Sequence, residues 1–134
     1  MTTPAVVVDS FPDAESAVLY VLGQCFGNFR FVTSVPAGDL AQITARIRRI
    51  SGASRDIYLD RPIIDIDVFG PASQHAATSQ AARDIEAVMI SLASQKVLKG
   101  VIQHASVISG ARQLPEANVD VVRYSATYEV LIHA

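Results

Sequence analysis

Hydrophobic and polar positions along the chain change period several times, and each change marks an element. Ala14, Val18, Val21, Leu22 and Cys25 recur at intervals of three and four, which predicts a first helix over about residues 11–26. Ser10 reads as its N-cap, Pro12 sits in the first turn, Asp13 and Glu15 lie near the positive end of the dipole, and Gly27-Asn28 stops it. Cys25 falls on the apolar stripe and is expected in the core, since a free thiol behaves as a small hydrophobe. Phe29 to Val35 has strand composition and ends at the turn Pro36-Ala37-Gly38. The run 40–50 fits two periods. Ile43, Ile47 and Ile50 suit a helix face, whereas Ile43, Ala45 and Ile47 alternate with Thr44, Arg46 and Arg48. Its isoleucine and threonine content, and the uncapped stop at Ser51-Gly52, favour a strand.

After a loop over 52–59 comes Asp60-Arg61-Pro62-Ile63-Ile64-Asp65-Ile66-Asp67-Val68-Phe69-Gly70. Pro62 is expected at the strand's first position, where a missing N–H costs least. Period two places Asp65 and Asp67 on one face and Ile64, Ile66 and Val68 on the other, and Gly70-Pro71 breaks the ladder. Paired antiparallel with the preceding strand, this hairpin sets Arg46 and Arg48 beside Asp65 and Asp67, worth about 0.2–1 kcal/mol per cross-strand pair.

The longest periodic element covers about residues 72–94, with Ala77, Ala81, Ile85, Val88, Met89 and Leu92 in one stripe and Arg83, Asp84 and Glu86 mostly off it. Gly100 opens another strand, 101–109, closed by Gly110. A connection centred on Leu114-Pro115-Glu116-Ala117-Asn118 follows. In the last strand Val122, Tyr124, Ala126, Tyr128, Val130 and Ile132 face one way while Arg123, Ser125, Thr127 and Glu129 face the other. The order predicts an α+β fold, a mainly antiparallel sheet of four to five strands with two helices packed on one face, in a single domain spanning 1–134.

Composition sharpens this picture. Half of the 134 residues are apolar and 18% are charged, few charges for a small domain, which hints at apolar surface covered by neighbouring subunits. A formal net charge of −2 and a pI near 5.8 remove the usual electrostatic basis for tight nucleic-acid binding. No apolar run approaches the roughly 20 residues that span a bilayer, so no membrane association is expected. The stretch from Met1 to Val8 lacks a positive n-region and a long h-region, so no signal peptide is expected. The single cysteine excludes an intrachain disulfide and fits a reducing compartment, so a protein made and kept in cytoplasm, or assembled there, is expected.

Candidate chemistry is sparse. The chain has no nucleophile elbow, P-loop, glycine-rich dinucleotide turn or paired-cysteine motif, and His75, His104 and His133 lack a second ligand at a metal-binding interval. Asp65 and Asp67 are the one tidy carboxylate pair, the type of pair that holds Mg²⁺ with waters or divides acid and base work, but further ligands are not evident. A small metabolite-binding protein or enzyme built on this pair is the competing function class. Arg46, Arg48 and Arg49, without interleaved aromatics, read as a strand face or subunit contact rather than a nucleic-acid groove. No catalytic, cofactor-binding or metal residue is assigned.

Three stretches carry a family resemblance: Ala45-Arg46-Ile47-Arg48-Arg49-Ile50-Ser51-Gly52, the Asp60–Phe69 strand leading into an alanine-rich helix, and Gly110-Ala111-Arg112-Gln113-Leu114-Pro115 followed by the strand 122–130. Together they resemble the tail terminator proteins of long-tailed, siphovirus-type phages, especially those of actinobacteria, over about residues 11–133. The resemblance implies a small α+β subunit of a ring, usually a hexamer, which caps the finished tail tube, stops its polymerisation and presents a surface for the head. Its implied partners are other copies of itself, the major tail tube protein and a head-completion or connector protein, with genomic DNA passing through without specific binding. Neither enzyme activity nor a cofactor is implied, and the location is the virion tail or neck. Related neck components, head-completion or connector-adaptor proteins, are similar alternatives. On a ring-lining face, Asp65 and Asp67 would repel passing DNA.

Overall fold

The structure is a computed structural model that describes residues 13–34, 42–54, 59–97 and 100–133. Their order is helix α1 (Ala14–Cys25), strands β1 (Arg30–Val32), β2 (Thr44–Ser54) and β3 (Leu59–Pro71), a single 3-10 turn at Ala72–Gln74, helix α2 (His75–Ser91), and strands β4 (Ala93–Val97), β5 (Gly100–Leu114) and β6 (Val121–His133). The expected N-cap Ser10, Pro12 and the turn 36–38 lie outside the described residues.

The α+β class and the two helices match expectation, but the sheet does not have four to five strands. It has six among the described residues, in the order β1-β2-β3-β6-β5-β4, antiparallel throughout except for the short β1–β2 pair. The added strand is β4, which begins inside the 72–94 stretch that the periodicity predicts as helix. The helix ends at Ser91, the Leu92 N–H bonds the Met89 carbonyl, and Ser94 at φ 53 starts a new direction. With the polar run Ser94-Gln95-Lys96, β4 has neither strand composition nor strand period.

Helix α1 packs on β1 and β2 and also on β4, although β1 and β4 are opposite margins of the sheet. The sheet therefore curls around the helices, with α2 lying on β3, β5 and β6. Inward positions form the core: Ala45 and Ile47 of β2, Ile64, Ile66 and Val68 of β3, Ile102 of β5, and Ala126, Tyr128, Val130 and Ile132 of β6. The strand reading of β2 is thereby borne out. From α1 the stripe Ala14, Ala17, Val18, Val21 and Leu22 enters this core; Cys25, one turn further on the same stripe, is exposed at the helix's last residue. Phe26, Phe29 and Phe31 pack together just beyond it, so aromatic rings close that end of the core instead of the thiol.

Helix α2 is rotated slightly from the expected stripe. Thr78, Ala81, Ala82, Ile85 and Met89 are buried and Ala77 is exposed. Thr78 packs against Gly70, where any side chain would collide with it, and donates its hydroxyl to the Gln74 carbonyl at 2.8 Å. A buried polar group satisfied within its own helix is invisible to a hydrophobic stripe.

Two expected strand ends are passed over by bulges. Strand β2 runs beyond Ser51-Gly52 because Ile50 is an extra residue between the Arg49–Ile64 and Ser51–Ile63 pairs, and Gly52 then takes φ 91 opposite Pro62. Pro62 is thus the fourth residue of β3 and not the first, sitting at this irregular point of the ladder. Likewise β5 continues through Gly110, with register shifts between Val107 and Ser109 and between Ser109 and Arg112.

Candidate functional site

The β2–β3 hairpin puts these arginines and aspartates on one face, as expected, and its register sets Arg46 opposite Asp67 and Arg48 opposite Asp65. Both aspartates point away from the helices, because Ile64, Ile66 and Val68 alternate with them and enter the core. Strand β6 then completes the surroundings from the other side, setting Ser125 opposite Asp67 and Thr127 opposite Asp65.

Asp67 has no solvent exposure. Arg46 Nη2 donates to its Oδ2 at 2.6 Å, and Arg123 Nη2 to its Oδ1 at 3.1 Å. Both guanidinium groups also lie over the Phe69 ring, 5.3 and 5.7 Å from its centroid, so one anion and one aromatic face hold two cations that would otherwise repel. Burial by itself would raise the Asp67 pKa, but hydrogen bonds from Arg46 and Ser125 and the charge of Arg123 outweigh it and hold the carboxyl below its ordinary 3.8. Asp65 accepts from the Thr127 hydroxyl at 2.7 Å and has Arg48 Nη2 at 3.8 Å, a distance for attraction but not for a hydrogen bond.

These partners decide what the pair can do. Asp67 offers both of its oxygens to arginines and is closed to water, so it has nothing left for a cation or for proton transfer. The expected pairing of the aspartates with Arg46 and Arg48 is borne out, and the repulsion of DNA expected of two exposed carboxylates loses its basis, because neighbouring strands neutralise Asp67 completely and Asp65 in part. Among the described residues, no group of three or more His, Cys, Asp or Glu side chains converges to hold a metal ion.

The basic cluster is also divided. Arg49, inward by alternation, leaves Arg46 and Arg48 and forks onto Asp60, with Nη1 to Oδ2 at 2.9 Å and Nη2 to Oδ1 at 3.0 Å. It also bonds the carbonyls of Ser51 and Gly52, wrapping the bulge, while its own N–H donates to Glu15 Oε2 of α1 at 2.8 Å. Arg49 is therefore a clamp between helix and hairpin rather than part of a surface cluster. His75 meets Tyr124, with its Nε2 3.2 Å from the phenol oxygen, and His104 is exposed on β5. Sequence reasoning missed Arg123 as a partner of Asp67. Its signal was only a polar position in the last strand, with nothing local to show that β6 lies beside β3.

Comparison with known proteins bears on how this face is used. Residues 10–134 match the profile of the phage tail termination protein family. The chain belongs to that family. It is accordingly a structural protein of a phage-type virion tail. Among solved structures nine chains match, and one from the "virion of native gene transfer agent (GTA) particle" superposes with a TM-score of 0.61 at 16% identity, covering 90% of this chain and 87% of that one. At this identity the likeness establishes a shared fold. No curated protein matches. For a tail termination protein, the Asp65–Asp67 strand is a scaffold: its carboxylates tie β2, β3 and β6 together.

Proposed function

We propose that the chain acts, as one domain, in a ring that closes the end of a tail tube, halts addition of tube subunits and offers the surface to which the head attaches. The observation that carries this reading is the family match over residues 10–134. The fold shared with a chain of a gene transfer agent virion supports it, as does the use of the best carboxylate pair in packing. On this reading the protein is not an enzyme and needs no cofactor. Its partners are further copies of itself, in a ring usually of six, the major tail tube protein and a head-completion or connector protein, and it is assembled in the host cytoplasm.

The test is electron microscopy of the purified protein alone and mixed with tail tubes. Rings, or caps confined to one tube end, together with overlong tubes when the protein is omitted from assembly, are the expected result. A protein that stays monomeric and binds neither tubes nor tube protein would overturn the proposal. The matching virion chain is described only by its particle, so a neighbouring neck position, head-completion or connector adaptor, is the second reading. Labelled particles and isolated tails separate the two, since only a terminator marks headless tails.

A further inference from the structure

Net charge hides a strong segregation of charge in this fold. Cross-strand partners share a face, so the register assigns each strand's charged residues to the helix side or the outer side. The outer side receives a cation from every strand: Arg46 and Arg123 around Asp67, and in addition Arg30, Arg48, Arg61, Lys96 and Arg112. Among the described residues, only Asp65, Asp67 and Glu129 oppose them there. Among the described residues, seven cations against three carboxylates leave a surplus of four on one side of a chain whose formal net charge is −2.

The surplus is available to a ligand. Arg30 and Lys96 make no ion pair among the described residues, and both are exposed. Among the described residues, Arg112 reaches only the Ser109 hydroxyl. The ion pairs of Arg48 with Asp65 and of Arg61 with Glu129 are 3.8 and 3.9 Å long, beyond hydrogen bonding, and the two arginine side chains are 45% and 53% exposed. Their guanidinium donors are free to turn to a better acceptor.

We infer that this outer face binds the phosphate backbone of nucleic acid, without reading its sequence. Six of the seven cations are arginines, whose planar forks fit phosphate oxygens in pairs, and the hydroxyls of Ser106 and Ser109 share the face as neutral donors. An acidic protein surface would be the other taker of positive charge. Protein interfaces are enriched in arginine as well, but they set it beside exposed aromatic and apolar residues. Here the central aromatic, Phe69, is buried at 7% exposure beneath Arg46 and Arg123, which leaves the middle of the face charged. The curl of the sheet makes the face convex, so a duplex touches only a few phosphates at once and holds weakly. This inference does not depend on ring formation.

The test is fluorescence anisotropy of a short labelled duplex of random sequence, titrated with the folded full-length protein at several salt concentrations. Binding is expected at low salt and should weaken with a log–log slope of about −4, one phosphate for each surplus cation. Arg48→Ala, Arg61→Ala and Arg112→Ala should each lower that slope by about 1. Arg83→Glu on α2, off this face, should leave binding unchanged, and circular dichroism confirms that all four variants are folded. No binding at low salt, binding insensitive to salt, or an equal loss in the Arg83 variant would each overturn the inference. Salt-sensitive self-association, or binding of polyglutamate, without duplex binding would also overturn it and assign the face to an acidic protein surface. A ring that caps tubes yet binds no duplex would sink this proposal and leave the terminator reading standing.

Discussion

At the scale of the residue, Asp67 and Asp65 show how distance and burial separate two ion pairs that look equivalent in the sequence. Asp67 is sealed between two arginines, so removing its charge leaves Arg46 and Arg123 facing each other; Asp67→Asn is expected to cost about 3 kcal/mol. Arg48→Ala and Arg61→Ala break only long, half-exposed pairs and are expected to cost less than about 1 kcal/mol each. Urea unfolding of the three variants measures this contrast, and equal losses would contradict it. Asp67 also sets an acid limit. Its folded pKa lies below the unfolded value, so its contribution is complete above the ordinary aspartate range and is lost as pH falls through the lowered value, under 3.8. Stability in wild type minus that in Asp67→Asn should therefore be flat from neutral pH down to about 5 and shrink below about 4.

At the scale of the element, the β2 bulge explains why Ser51-Gly52, a reasonable stop signal, does not end the strand. Ile50 is left unpaired, Gly52 turns the backbone at φ 91, and the Arg49 guanidinium takes up the Ser51 and Gly52 carbonyls that the bend exposes. A Cβ at position 52 would run into the Arg61 carbonyl and stand 2.8 Å from the Ile63 nitrogen, both backbone atoms that cannot rotate aside. Gly52→Ala is therefore expected to cost at least about 2–3 kcal/mol, from left-handed strain plus this collision. Thermal melting reads the loss; an unchanged midpoint would show that the hairpin re-registers and loses the bulge. Hydrophobic period located β2 and β3 well because their inward residues alternate strictly. It failed at β4, where polar residues make an edge strand, and at Thr78, where a buried hydroxyl replaces an apolar group.

At the scale of the whole molecule, α1 holds the two margins of the curled sheet, touching β1 and β2 on one side and β4 on the other. Leu22, with no exposure, lies in the buried stripe that makes this junction. Leu22→Ala is expected to cost about 3 kcal/mol and, more tellingly, to raise amide hydrogen exchange in β1 and β4 together. Faster exchange in β1 alone would mean that the margins are held independently. The same curl turns the outer side of six strands into one continuous surface. Charge spread thinly along the chain, and nearly balanced overall, becomes concentrated there.

The sequence by itself determined the class, the two helices, most strands and the pairing of Arg46 and Arg48 with Asp67 and Asp65. These follow from local period and from a hairpin whose strands are close neighbours in the chain, so alternation and a short connection settle who faces whom. It also carried the resemblance to tail terminators. Tertiary structure alone brought Arg123 to Asp67 across 56 positions, sent Arg49 inward to Asp60, left Cys25 at an exposed helix end and gathered the cations on one face. Each of these depends on which distant strand lies alongside, or on where an element stops relative to the core. The Asp65–Asp67 strand is legible as chemistry in one dimension, and it is the third strand, β6, that makes it a scaffold.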